Sequence, residues 1–289
     1  WIKLRRDERT MQVIGIGTGG CQVATDLAQY GVYNIINVDT SFKVELESVT
    51  NIELERQETF KEYEAETKLD IRHEVKYNSV HVFLFGGGKT TGSVLRILEK
   101  IKDKKITIHY IKPEKNFLSA KQKLRERAIC GILQEMARSG VFNRMYLYDA
   151  SKILEGQEVS FLKKKDYVSK TIAGMFHTIN FTKNTEDLFS NVEEPMEVNR
   201  IATIGTVNPE DGKEVLYFPL DSIREKCYYF VMSKTALETP GVIEKINDQI
   251  KEENEQSSFK IIESDWSDNH VYMEAFTNVV QITQEKTEE

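Results

Sequence analysis

The sequence predicts an α/β fold, an N-terminal domain on a mainly parallel sheet followed by a smaller α+β domain, and three observations carry that prediction. Two short apolar runs, residues 11–16 and 80–85, each open into a glycine-rich loop and then into a helix-spaced segment. Strands and helical patterns alternate from residue 11 to about residue 178, the order that buries a parallel sheet between helices. After Pro195 the order changes to a run of strands with one helix, the pattern of a separate α+β unit.

Composition narrows the class. The chain has 289 residues, 40% hydrophobic and 29% charged, as in a soluble globular protein with ample core. Its formal charge of −7, with no basic block interleaved with aromatics, argues against direct nucleic-acid binding. No apolar run approaches the ~18 residues of a membrane span and no signal-peptide core is visible, so a cytoplasmic protein without membrane contact is expected. Cys21, Cys130 and Cys227 are odd in number and widely spaced, which suits reduced thiols; the five histidines show no metal-ligand spacing with them.

Residues 1–10 are charged and precede a clean strand; a leader, an appended extension and a packed arm all remain open. Residues 11–16 form the first strand, Gly15-Ile16-Gly17-Thr18-Gly19-Gly20 turns it, and a helix follows over 21–30. Residues 33–39 are a second strand ending on Asp39. Read literally this is the dinucleotide fingerprint, G-x-G-x-x-G with an acid about 20 residues on. A Rossmann-type NAD-dependent enzyme would hold a ribose with Asp39, and an adenylylating enzyme would open similarly. Neither places a triple glycine after a later strand, as this chain does at Gly86. Residues 51–77 are charged, and no glycine occurs between Gly31 and Gly86; a solvated helix is expected over 53–74.

The second loop is Gly86-Gly87-Gly88-Lys89-Thr90-Thr91-Gly92-Ser93, with a helix over 93–99. Consecutive glycines let backbone N–H groups turn toward an anion, and a helix start adds its positive dipole end. A Walker A loop would need a glycine five residues before Gly88; that position is Phe83, so the P-loop reading fails. Further strands are expected at 106–111 and 141–147. Between them, Leu124, Ala128, Ile129, Ile132, Leu133 and Met136 predict a core-facing helix over 120–139. Phe161, Leu162, Val168, Ile172, Met175 and Phe176 fall at helical spacing over 161–178. Strands at 200–207, 214–219, 226–232, 259–263 and 270–276, with a helix over 240–255, complete the chain before a polar acidic tail at 281–289, expected to be disordered.

The second loop resembles the GGGTGTGS signature of the FtsZ/tubulin superfamily, departing from it at Lys89 and Thr90. Gly17-Thr18-Gly19-Gly20-Cys21-Gln22 looks like tubulin's G-Q-C-G-N-Q, and Lys112-Pro113 with Phe117 is similar to the V-x-T-K-P-F-x-F segment of FtsZ. Residues 161–168 (FLKKKDYV) with Ile172-Ala173-Gly174-Met175 look like F-x-A-A-D-D-V-L and V-Q-G-I of the helix that joins the two domains in FtsZ. The motifs cover residues 12–178, and element order alone covers the rest. The short length and the N-V-D-T-S stretch after the second strand look most like the phage and plasmid members, TubZ-like and PhuZ-like.

The resemblance implies a Rossmann-like GTPase domain over 11–160, a central helix over 161–180 and a C-terminal domain over 181–280. It implies GTP or GDP as ligand, with Mg2+ where the γ-phosphate is held. Residues 17–22 would take the α/β-phosphates and part of the base, residues 86–92 the β/γ-phosphates, and Asp149 would face the sugar. Asp166 matches the carboxylate that accepts from the guanine edge. The glycine-rich loop that reaches the γ-phosphate in the family has no counterpart, and Lys89 could offset phosphate charge in its stead. Glu186 and Asp187, in Asn184-Thr185-Glu186-Asp187, stand where family members carry the acids that orient water on a neighbouring subunit's nucleotide. The implied partners are further copies of the chain, head to tail in filaments, with a DNA-bound adaptor or a phage particle as cargo. A superfamily member that binds without hydrolysing remains a rival.

Overall fold

The computed structural model describes residues 11–42, 46–242, 244–246, 248, 256–265 and 268–282. Residues 1–10, most of the helix expected over 240–255 and the tail beyond residue 282 lie outside that set.

Six strands rich in apolar and β-branched residues form the parallel half of the sheet. They are β1 (Met11–Ile16), β2 (Asn34–Asp39), β3 (Val49–Glu53), β4 (Ser79–Phe85), β5 (Lys105–Lys112) and β6 (Arg144–Asp149). Their spatial order is β3-β2-β1-β4-β5-β6, every neighbour parallel. The chain order reverses between β1 and β4, and open parallel sheets bind ligands at the carboxyl ends of the strands that flank such a reversal.

Helices cover both faces. On one lie α2 (Phe60–Glu66), α3 (Val94–Lys100) and α4 (Ala120–Arg138); on the other lie α1 (Gly17–Leu27), the short α5 (Ala150–Ile153) and the 21-residue α6 (Lys164–Asn184). Both sheet faces are therefore dry, which suits strands such as β4 with Val80, Val82, Phe83 and Leu84 all buried.

Beyond α6 come β7 (Phe189–Ser190), β8 (Ile201–Val207), β9 (Glu214–Leu216), β10 (Glu225–Ser233), α7 (Lys234–Leu237), β11 (Ser257–Ser264) and β12 (His270–Thr277). β6 pairs with β8 in parallel at Met145–Ile201 and Tyr146–Ala202, so one sheet runs through both halves of the chain. From β8 it continues β12-β10-β11-β7, with only β10 and β11 parallel.

Three local expectations are corrected. Only residues 60–66 of the expected 53–74 helix are helical, begun by a Thr59–Glu62 capping box. The residues around it turn inward, with Leu54, Tyr63, Ile71 and Val75 buried, because this segment roofs the core beside α3. In α4 the buried face is Glu126, Ile129, Cys130, Leu133, Gln134 and Ala137, while Leu124 and Ile132 are 68% and 45% exposed. Polar residues take those core positions because partners wait there: the Tyr110 hydroxyl donates to Glu126, and Gln134 exchanges two backbone hydrogen bonds with Gln281. Phe161 and Leu162 precede α6 in an exposed 3-10 turn rather than facing the core, while Val168, Ile172, Met175 and Phe176 are buried as expected.

α6 also runs past the expected bounds of the central helix, 161–180, to Asn184. The Lys260 ammonium, itself buried, donates to the carbonyls of Lys183 and Thr185, a cation on the negative end of the helix. That contact sets where the chain leaves α6.

Candidate nucleotide site

The two glycine loops meet at the β1/β4 reversal. Gly17 opens α1 at φ +69°, and a Cβ there would stand 2.7 Å from Thr90 Oγ1 of the other loop. Only glycine combines the left-handed backbone with that approach. Gly20 lies against the Phe83 carbonyl of β4 and Gly19 against the Phe85 ring, so α1 sits close on the neighbouring strand. Gly86 rests on the Tyr110 hydroxyl and Glu126, and Gly92 on the Phe60 carbonyl of α2. Gly87 is left-handed, at φ +81°. Thr91 Oγ1 donates to the Gly88 carbonyl at 2.6 Å, closing the loop on itself, and Gly88 is half-buried beside it. Lys89 is exposed at the loop's crest.

Asp39 serves the first loop. It is buried; its Oδ2 accepts from Thr18 Oγ1 at 2.9 Å and its Oδ1 from the Thr40 amide at 2.8 Å. Both oxygens are engaged by the protein's own chain, which weighs against a ribose-holding role. Cys21 is buried below, and burial first, then the nearby Asp39 charge, pushes its thiol up to about 12. It is a packing group rather than a nucleophile.

Gln22 and Asp166 come together through Asp26. Gln22 Nε2 donates to Asp26 Oδ1 at 3.1 Å, and Ser169 Oγ of α6 donates to Asp26 Oδ2 at 2.6 Å. Burial leads in raising the Asp26 carboxyl, and the charge of Asp166 adds to it. Asp166, in the first turn of α6, is exposed and paired with Lys170 at 3.0 Å. An open cleft of about 670 Å³ adjoins it, lined among others by Glu158, Lys163, Tyr167 and Thr171, within the size range of small-molecule sites. The Gln22–Asp26–Ser169 tie had no sequence signal, because nothing local links residues 143 positions apart.

Asp149 ends β6 and caps α5 through the Ser151 amide; its other oxygen stands 3.9 Å from the buried Lys112 ammonium. Burial lowers Lys112, with the Asp149 charge opposing. Glu186 and Asp187 do not join this site. They follow the far end of α6, exposed, with no hydrogen-bond or ion-pair partner among the described residues. No group of three or more metal-ligating side chains occurs among the described residues.

No protein-family model and no curated protein sequence matches the chain. Solved structures do. CetZ2 from Haloferax volcanii, in a GTPγS-bound protofilament, is 14% identical, with 92% of each chain covered and a TM-score of 0.67. An empty FtsZ dimer of M. jannaschii is 13% identical at a TM-score of 0.69, covering 95% of this chain and 90% of that one. TubZ of Bacillus thuringiensis serovar israelensis, as a GTPγS-form protofilament, is 14% identical at 0.70, covering 94% and 87%. The chain has the tubulin/FtsZ fold. Within that fold the two glycine loops follow the carboxyl ends of β1 and β4.

Proposed function

We propose that this chain is a GTP-binding protein of the tubulin/FtsZ superfamily that assembles head to tail into filaments and moves or positions phage or plasmid DNA through an adaptor. The observation that carries the reading is the junction of the two loops at Gly17 and Thr90, on the β1/β4 reversal of the sheet. Backbone N–H groups of residues 17–22 and 86–92 would hold the phosphates, with Lys89 supplying a cation at the crest. Asp166 would accept from the guanine edge, giving up or sharing Lys170. Mg2+, where bound, would be held largely through phosphate oxygens and water, as that ion commonly is.

Glu186 and Asp187 follow the last turn of α6 while Asp166 lies in its first, so they would act on a neighbour's nucleotide. Slow, polymer-dependent hydrolysis of GTP to GDP and phosphate follows, because glutamate reaches one methylene further than aspartate and a misplacement of about 1 Å can cost on the order of a hundredfold in rate. The segment packed on Gly92 is α2, with Tyr63 buried, rather than a glycine-rich loop, and this favours weak γ-phosphate contact. A non-hydrolysing filament protein is the second reading for the same reason. The NAD-dependent and adenylylating readings are disfavoured by the engagement of both Asp39 oxygens. Sedimentation with GTP, with GDP and without nucleotide is the test: pelleting that depends on GTP supports assembly, and indifference to nucleotide overturns it.

A further inference from the structure

α4 is apolar on two sides. Its inner face, from Glu126 to Ala137, is buried against the sheet. Its outer face carries Leu124 and Ile132, 68% and 45% exposed, with Ala128 exposed between them. At about 100° per residue these three stay within roughly 40° of one line along the helix, and so do Lys121 and Glu135 at its two ends. From the amino end the line therefore reads cation, leucine, alanine, isoleucine, anion. Gly131 beside it faces open space, with nothing within 4 Å of an added Cβ.

This face is complementary to itself in one direction only. Leu124 and Ile132 lie four residues either side of Ala128, and Lys121 and Glu135 seven. A second α4 laid antiparallel about a two-fold axis at Ala128 sets each Leu124 on the other copy's Ile132 and each Lys121 opposite the other copy's Glu135. A parallel pair would set lysine on lysine and glutamate on glutamate. At the centre the small Ala128 lets the axes close to about 8 Å. Glu135 is held by Arg138 at 2.7 Å in its own chain, but both side chains are more than half exposed, and so weak a pair is readily shared. The amino end of α4 adjoins the second glycine loop, where a Cβ on Gly87 would stand 3.4 Å from the Gln122 carbonyl; beyond its carboxyl end lies Arg200, ahead of β8. α4 thus runs along the flank of the molecule, against the direction of the strands it covers.

We infer that the outer face of α4 is a two-fold contact for a second copy of this chain, lying alongside and pointing the opposite way. Leu124 and Ile132 supply the apolar centre, and Lys121 with Glu135 sets the direction. A contact of this kind closes on itself and leaves both ends of each copy free, so it does not depend on head-to-tail assembly or on a nucleotide.

Sedimentation velocity of the full chain without nucleotide tests it, at loadings from about 1 µM to about 300 µM because a single helix pair is a small interface. A concentration-dependent species of twice the monomer mass is expected. Lys121→Glu and, separately, Glu135→Lys should each raise its dissociation constant about tenfold or more, since the two-fold axis repeats every like-charge clash. The chain carrying both substitutions, and an equimolar mixture of the two single variants, should dimerise as the wild type does, because opposite charges then face each other again. Disulfide trapping under mild oxidation reads the direction, with Cys21, Cys130 and Cys227 buried and out of reach. Cα atoms lie about 2.3 Å from a helix axis, so at an axial separation of about 8 Å two Ala128→Cys positions come within bonding range. Two Leu124→Cys positions stay about 12 Å apart along the axis. Ala128→Cys should therefore cross-link and Leu124→Cys should not. Circular dichroism and unfolding midpoints equal to the wild type certify that the variants fold. A monomer at every loading, single variants that dimerise like the wild type, a double variant without rescue, or cross-linking at Leu124→Cys overturns the inference. None of these outcomes bears on GTP-dependent pelleting, whose own failure would leave the α4 contact standing.

Discussion

Thr90 Oγ1 fills the space that a side chain on Gly17 would need, 2.7 Å from where its Cβ would stand. The two glycine loops are thus packed against each other before any ligand is considered. Gly17→Ala should force them apart and also place alanine at φ +69°, at a cost of about 1–2 kcal/mol in stability from the backbone alone. Adding Thr90→Ala should return the steric part and leave the backbone part. Chemical denaturation of the three variants measures the split.

Asp166→Ala should weaken GTP binding by roughly 1.5–3 kcal/mol, the range for a hydrogen bond to a charged group. Lys170→Ala frees the carboxylate and should leave GTP affinity equal or higher. Titration calorimetry with GTP, ATP and NADH should rank GTP far ahead. NADH binding best would transfer the site to dehydrogenase chemistry.

Glu186→Ala should abolish phosphate release and spare GTP-dependent pelleting. In the wild type, release should rise more steeply than linearly with protein concentration, since the acid and the nucleotide belong to different copies. Turnover proportional to concentration and unmoved by the substitution would place the site within one subunit or on another acid.

Beneath α6, Glu274 is buried and accepts from Tyr146 at 2.7 Å, Tyr229 at 2.6 Å and Lys183 at 2.7 Å. Burial alone would raise its carboxyl; the Lys183 charge and these three donors outweigh that and leave it lowered. Lys183→Met strands the carboxylate and should cost about 3 kcal/mol, the lower end for breaking a buried pair. Lys183→Met with Glu274→Gln should recover much of that. Urea unfolding of the two variants checks both.

Next to it, His81 and His109 share a hydrogen bond of 2.9 Å, and His109 reaches the Tyr148 hydroxyl at 2.9 Å. Burial first, and the Lys183 charge with it, pushes His81 down to about 3 and His109 well below the usual imidazole range. Both are neutral when folded and take up a proton on unfolding. Their stabilisation is present above about pH 6.5 and is lost as pH falls toward 3, at about 1.4 kcal/mol per pH unit for each fully shifted group. The lowered Glu274 adds loss in the same direction only below about pH 4.5. Unfolding free energy followed from pH 7 to pH 4 should fall from about pH 6.5 downward, and a curve flat to pH 5 would contradict neutral buried imidazoles.

Local pattern by itself determined the strands other than β3 and β7, both glycine loops and most of the helices. Alternating apolar runs, consecutive glycines and capping residues act over a few positions and leave a trace at each one. The two glycine loops could therefore be placed in advance at the ends of β1 and β4. What escaped was decided over distance. α4 turned a face bearing Glu126 and Gln134 inward because Tyr110 and Gln281 were there to satisfy them, and hydrophobicity counted along the helix cannot foresee a partner 147 residues away. Asp39, whose position in the fingerprint invites a ribose, is claimed by Thr18 across the first loop. The opposition of Phe161 and Glu186 at the two ends of one helix arose only when Lys260 set where α6 stops, because a helix end is fixed by whichever group satisfies its last carbonyls.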